Sequence, residues 1–367
     1  MSIEKVIDYA SQIKDLNAGA MAKAREHLDA LAKPPGSLGR LEDIAERLAG
    51  ISGGITYNAD KRCVVVMCSD NGVFEEGVAS TPQSVTLSQT INFAKGLTGV
   101  AVIAKQFNAD LIIVDVGVNA DIDHPHIHNK KIRKSTWNIA KGAAMTGDEA
   151  ARAILTGIDT AVEAVGNGYK MIGVGEMGIA NTTTSAAVLC ALTGVAPEDA
   201  AGKGAGLNEE AYKHKIEVIK KAIEINKPDP EDPIGVLAKV GGFDIAAMAG
   251  VYIGGALKRV PVVIDGFISM VAALAAVRIA PAAKAYMFAS HSSYEQGFAR
   301  AAEAVGLRPY LDLEMRLGEG SGCPIMFAVF DAACAMMRDM ATFGQAEIDD
   351  GYIAELINGD NFTVHKE

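Results

Sequence analysis

The chain has 367 residues, which is enough to bury a large core, and length alone predicts about two domains. Hydrophobic residues make up 49% and charged residues 22%, the balance of a soluble globular chain, and 34 Lys and Arg against 45 Asp and Glu give a net charge of −11. No basic block stands out, so neither phosphate-driven nucleic-acid binding nor attachment to a membrane surface is expected.

The first residues, MSIEKVIDYASQIKDLNAGA, lack a basic stretch followed by an apolar core, so no signal peptide is expected. The apolar segment from Ile264 to Ala283 is interrupted by Asp265 and Arg278 and reads as short elements rather than a membrane span. Cys63, Cys68, Cys190, Cys323 and Cys334 lie in apolar contexts without a C-x-x-C pair. Buried, reduced thiols in a cytoplasmic protein are the expectation.

Residues 3–32 place Val6, Ala10, Ile13 and Leu16 at helical spacing, which predicts a helix. Lys33-Pro34-Pro35-Gly36-Ser37-Leu38-Gly39 breaks it, and a second helix is predicted over 40–51. Five short apolar runs then read as strands: Cys63–Cys68, Leu111–Val116, Met171–Val174, Val262–Ile264 and Ala285–Ala289. Helical stretches separate them, including Ser84–Gln106, Asp148–Val165 and Asn181–Leu192. This alternation predicts an α/β fold, a Rossmann-like, mostly parallel sheet with helices on both faces. Near the C-terminus, Pro324–Phe343 is helical in pattern, with Ser321 as its cap. Helices from both ends of the chain predict a small helical domain (1–32 with 305–350) beside an α/β domain (33–304), and a loose tail (351–367).

Each strand run ends on something polar: Asp70, Asp115, Glu176, Asp265 and the pair Ser290-His291. Ligands of open α/β sheets bind outside the carboxyl ends of the strands, so these residues mark the edge where a site belongs. From Gly173 to Thr184 the chain runs from strand to helix through Gly175, Gly178, Asn181 and Thr182. Glycines clear space there, and helix-start amides with hydroxyls form an anion cradle. Without a Walker lysine it is no triphosphatase loop; the pattern fits a monophosphate cradle and equally an N-capped helix after a loop. Lys203 sits in a glycine-rich surface loop, with Lys215 beyond it. His124-Pro125-His126-Ile127-His128 lacks further ligands at familiar spacing and reads as an exposed loop. Ser290-His291 lacks a nucleophile elbow. Arg316-Leu317-Gly318-Glu319-Gly320-Ser321-Gly322 sets a carboxylate between glycines. Partly desolvated there, a carboxyl has a raised pKa and Glu319 is a usable base, while in a solvated turn it is an incidental Glu, and the motif alone leaves both readings open.

Seven stretches together resemble one family. They are KPPGSLGRLE (33–42), DNGVFEEGVASTPQSVT (70–86), GVGEMGIANTT (173–183), KVGGFDIAAMAGV (239–251), VIDGFIS (263–269), SHSSYEQG (290–297) and RLGEGSG (316–322). The chain is similar, in order and spacing, to the nicotinate-nucleotide–dimethylbenzimidazole phosphoribosyltransferases. That resemblance implies phosphoribosyl transfer from nicotinate mononucleotide to 5,6-dimethylbenzimidazole, giving α-ribazole 5′-phosphate and nicotinate in the pathway that builds the lower ligand of cobalamin. It also implies a Rossmann-like domain with a small helical domain, a homodimer, and no cofactor or metal.

By motif position, Glu319 is the implied general base, and Glu176 and Asp265 are candidates to stabilise charge at C1′. Thr81 and Gln89, with Leu317, fall where the family lines its benzimidazole site. Gly175, Gly178, Asn181 and Thr182 match the phosphate and ribose loop. Lys215 and Arg316 are candidate partners of the phosphate or the nicotinate carboxylate, and Ser290 is a further substrate-binding candidate. Family members read Asp-His-Gly where this chain has Asp70-Asn71-Gly72, and Ser where it has Thr81. Another acceptor base (adenine, other benzimidazoles, phenolics), a heteromeric enzyme and a non-catalytic nucleotide-binding protein stay open as alternatives.

Overall fold

The computed structural model describes residues 2–204, 206–351 and 353, so the expected tail over 351–367 falls almost wholly outside the described residues. Contacts divide the chain into two compact units, Met1–Lys14 with Lys61–Met326, and Asp15–Asp60 with Phe327–Glu367. These boundaries differ from 32/33 and 304/305. The stretch 305–326 includes the Glu319 loop, which is hydrogen-bonded to the end of a sheet strand. Residues 33–60 include the helix Arg40–Ser52, which packs on Ala18–Ala30.

The first unit is built on six strands: β1 (Arg62–Ser69), β2 (Ala109–Gly117), β3 (Ile127–Asn129), β4 (Met171–Met177), β5 (Val262–Ile264) and β6 (Met287–Ala289). Their order is β3-β2-β1-β4-β5-β6, and every neighbouring pair is parallel. All of β1 is buried, which is why its residues read as an unbroken apolar run. The strand order reverses between β1 and β4, so the loops leaving these two strands diverge and open a crevice at their carboxyl ends. Over the sheet, the helix Phe243–Leu257 is buried at every residue but its last and packs on β1 and β4. It lies so close to the helix Gly147–Gly166 that a Cβ added to Gly157 would fall 1.9 Å from the Ala247 carbonyl oxygen. All five cysteines are buried, and none forms a disulfide. Among the described residues, no helix is long and apolar enough to cross a membrane.

In the second unit, the buried Glu42 accepts from Leu38 N at 3.0 Å and pairs with Lys33 Nζ at 2.8 Å. Both contacts tie down the Pro-Gly turn that the sequence marks as a helix break. Leu31 and Thr342 form an antiparallel bridge that brings the two chain segments of this unit together.

Four expectations about individual elements need correction. Residues 3–32 form two helices, Ser2–Ser11 and Ala18–Ala30, because the Asn17 side chain accepts from Ala20 N at 2.9 Å and starts a new helix. Likewise Ser84–Gln106 is two helices, Ser84–Ala94 and Gly99–Gln106, parted by Gly96 at φ 73° and capped at Thr98. Next, β3 occupies part of the histidine segment read as a loop. It is an edge strand with one buried side chain, Ile127. Ser321, expected to cap the C-terminal helix, has a buried hydroxyl without a hydrogen-bond partner, and the helix runs Gly322–Asp339.

Candidate active site

A cavity of about 280 Å³ opens at the carboxyl ends of β4 and β5. Its walls come from loops after β1, β4, β5 and β6, together with Lys203–Gly204, Lys215 and Arg316–Glu319. Glu319 is 5% exposed, and its backbone is left-handed, φ 64°, between Gly318 at φ 82° and Gly320 at φ 88°. The left-handed region needs glycine almost everywhere, which explains the glycines on both sides. Beneath the loop, β4 makes room: a Cβ on Gly175 would fall 2.3 Å from the Glu319 carbonyl oxygen.

The Glu319 carboxylate is held by the amino end of the helix Gly99–Gln106. Val100 N donates to Oε2 at 3.1 Å, with the Gly99 amide beside it, and Gln89 Nε2 donates to Oε1 at 3.2 Å. Asn92 in turn donates to Gln89 Oε1 at 3.0 Å and fixes which way that amide points. Burial pushes the Glu319 pKa up and outweighs these three donors, which pull it down. The result is a fixed carboxylate with raised basicity facing the cavity. Thr81, Val85 and Gln89 line the cavity on this side. Val85 and Gln89 stand four residues apart on one face of their helix.

Glu176, at the end of β4, is more strongly perturbed. Burial, opposed by the Asn181 hydrogen bond, and the nearby Asp244 and Asp265 push it up to about 8. Asn181 Nδ2 bridges Glu176 and Asp244, the latter at 2.9 Å, so one amide holds two buried acids apart. Burial also raises Asp244 to about 6 and Asp265 to about 7.

Across the cavity the chemistry turns cationic. The helix Asn181–Thr193 aims its amino end here through Ala180, Asn181 and Thr182. Lys215 is fully buried, donating to Thr182 Oγ1 at 2.8 Å and to the Gly202 carbonyl at 3.0 Å. Burial lowers its pKa to about 8. A buried ammonium at a helix amino end is suited to an anion. Arg316 lies over the Tyr294 ring, 5.9 Å from its centroid, and Leu317 is 59% exposed.

Of the residues singled out in the sequence, Glu319, Glu176, Asp265, Thr81, Gln89, Gly178, Asn181, Thr182, Lys215, Arg316 and Leu317 all line this cavity. Gly175 and Ser290 do not. Gly175 lies under the Glu319 loop, and Ser290 Oγ is engaged behind the wall with the Asp265 carbonyl and His291 Nδ1. The adjacent His291 lines the cavity instead. Two of the four strand-end acids serve structure. Asp115 accepts from Gly117 N, Val118 N and Lys131, and Asp70 accepts from Asn119 N. Sequence reading missed Gly99, Val100 and Glu295. Gly99 and Val100 act through backbone amides, for which Thr98-Gly99 as a helix start was the available signal. Glu295, also a lining residue, is raised by burial against the charges of Lys215 and Arg316.

A phosphoribosyltransferase family model matches residues 13–348. A nicotinate-nucleotide–dimethylbenzimidazole phosphoribosyltransferase of Ruminiclostridium cellulolyticum is 53% identical over 95% of this chain and 98% of its own. The chain belongs to that family. The protein of the same name from Clostridium perfringens is 51% identical over 96% of this chain and 98% of its own. Among solved structures, the family member from Thermus thermophilus superposes with a TM-score of 0.87 at 38% identity, covering 92% of this chain and all of that one. Membership makes the chain a phosphoribosyltransferase on an α/β scaffold with a parallel sheet.

Proposed function

We propose that this enzyme transfers the phosphoribosyl group of nicotinate mononucleotide to 5,6-dimethylbenzimidazole, releasing nicotinate and forming α-ribazole 5′-phosphate, with Glu319 as general base. The observation that carries the reading is one cavity holding both a fixed, desolvated carboxylate and a buried lysine at a helix amino end. Its relatives carry that activity in their names.

One benzimidazole nitrogen attacks C1′ while Glu319 accepts the proton from the other, which strengthens the nucleophile as the bond forms. Nicotinate leaves from a pyridinium and needs no general acid, so a single base suffices. Attack opposite the leaving group converts a β-nucleotide to an α-product. Lys215, Thr182 and the amino end of Asn181–Thr193 hold the phosphate, and Arg316 stands at the mouth as a second cationic contact. Glu176 faces the same cavity with a raised pKa, and positive charge at the pyridinium or C1′ draws it toward its carboxylate form, where it stabilises that charge. Thr81 and Gln89 border the acceptor, and the Thr81 methyl narrows the room for substituents on the base. Buried thiols outside any disulfide support a cytoplasmic setting.

Purified protein incubated with nicotinate mononucleotide and a panel of bases tests the reading, with chromatography of products. Nicotinate release with an α-ribotide of dimethylbenzimidazole is expected. Nucleotide binding without nicotinate release for any base would refute the assignment, and a preference for adenine or a phenol would move the acceptor class.

A further inference from the structure

We infer that Asp265 is a positioning residue that sets the catalytic loop and acts on the reaction through Glu319. Three consecutive residues of that loop, Gly318, Glu319 and Gly320, are left-handed. For an L-residue such as Glu319 this is an unfavourable backbone conformation. A conformation of that kind persists only where its surroundings fix it.

What fixes it is largely Asp265. Its Oδ2 accepts from Gly320 N at 3.0 Å and its Oδ1 from Gly322 N at 2.7 Å, so one carboxylate grips the backbone immediately after Glu319. The amide of Gly266 supplies a third donor. Asp265 is 2% exposed and follows β5, a strand buried along its length, so the grip is anchored in the sheet. From the other side, Glu176 accepts the amide of Glu319 itself. Both Asp265 oxygens are thus engaged by loop amides, which argues against direct work on the sugar. His291 Nδ1 lies 3.9 Å from Oδ1, beyond a direct hydrogen bond.

The inference rests on Glu319 being the base. A double-mutant comparison separates the two roles open to Asp265. Asp265→Asn puts an amide donor against the loop amides and shifts Glu319. A misplacement on the order of 1 Å costs about 10²-fold, so kcat is expected to fall by that factor while KM for nicotinate mononucleotide moves less than about threefold. Glu319→Gln removes the base and lowers kcat by about 10²–10⁴-fold. With the base gone there is nothing left to position, so Asp265→Asn/Glu319→Gln should be slower than Glu319→Gln by no more than about threefold. A double variant slowed by the full Asp265→Asn factor overturns the inference and puts Asp265 on the sugar, as does wild-type kcat in Asp265→Asn. Near-normal turnover in Glu319→Gln sinks the base assignment and the inference with it. Asp265→Ser, which keeps an acceptor without adding an amide, replaces Asp265→Asn if melting shows that variant unfolded.

Discussion

Lys215 offers a quantitative test of how the anion end of the site is built. Burial lowers its pKa from 10.5 to about 8, so bringing the charged side chain into the fold near neutral pH costs on the order of 3 kcal/mol. Lys215→Met removes that cost. It also loses the hydrogen bonds to Thr182 and Gly202, about 1 kcal/mol, which leaves the variant about 2 kcal/mol more stable at pH 7. The sign then changes with pH in a defined way. Between the two pKa values the unfolded chain holds the proton that the folded chain has released, so wild-type stability rises with pH across that window. The advantage of Lys215→Met should shrink to under about 1 kcal/mol by pH 10. Urea denaturation followed by circular dichroism across this range measures it directly. Nicotinate mononucleotide should raise the denaturation midpoint of the wild type and leave that of the variant unchanged. A variant less stable than wild type at pH 7, or equally more stable at every pH, would refute the claim that the site holds a costly, ligand-seeking charge.

Further outcomes follow from the acid cluster and the base loop. Glu319→Gln should lower kcat by about 10²–10⁴-fold with nucleotide affinity by calorimetry nearly unchanged, and a loss confined to KM would contradict a base that acts in the transition state. Glu176, raised to about 8, keeps a proton in the fold that the unfolded chain gives up near 4.5. That stabilisation is complete at low pH and is lost as pH rises through the folded value, at about 1.4 kcal/mol per pH unit between pH 5 and 8. Glu176→Gln should flatten this decline in a melting series, and an unchanged slope would show that Glu176 is ionised throughout. Gly318→Ala forces a side chain into a left-handed position with its Cβ 2.6 Å from Glu176 Oε1. It should cost about 2 kcal/mol or more in stability and displace Glu319, so that kcat falls as well. Wild-type melting in that variant would argue that the loop is looser than its hydrogen bonds imply.

Much of this arrangement was legible in the sequence because burial leaves a compositional trace. Strands covered on both faces read as unbroken apolar runs, which gave β1, β2, β4, β5 and β6 their approximate places. Edge strand β3 buries only Ile127, flanked by histidines, and three residues are too few for a period to show. The helix breaks at Asn17 and Thr98 were missed for a different reason. Asn17 is a single capping side chain inside a region of otherwise helical composition, whereas Thr98 lies between Gly96 and Gly99, glycines that a helical pattern can tolerate and that so did not mark the break. Carboxylates at strand ends could be located, but their partners could not. Asp115 and Asp70 face backbone amides, while Glu176 faces the cavity, and nothing in the strand patterns separates them. Donors such as Gly99 N and Val100 N belong to every residue type and so leave no mark in composition.

The sheet has a second end that matters for anyone handling the molecule. Four loops of the site leave the carboxyl ends of β1, β4, β5 and β6, whereas the turn Gly166–Lys170 enters β4 from the opposite end, with Gly166 and Asn167 exposed and Gly168 at φ 91°. Because strand and helix on either side of that turn are anchored by burial, a tag or fluorophore spliced between Gly166 and Asn167 should ride on the enzyme without touching its chemistry. One face of this fold is therefore available as a handle while the other works.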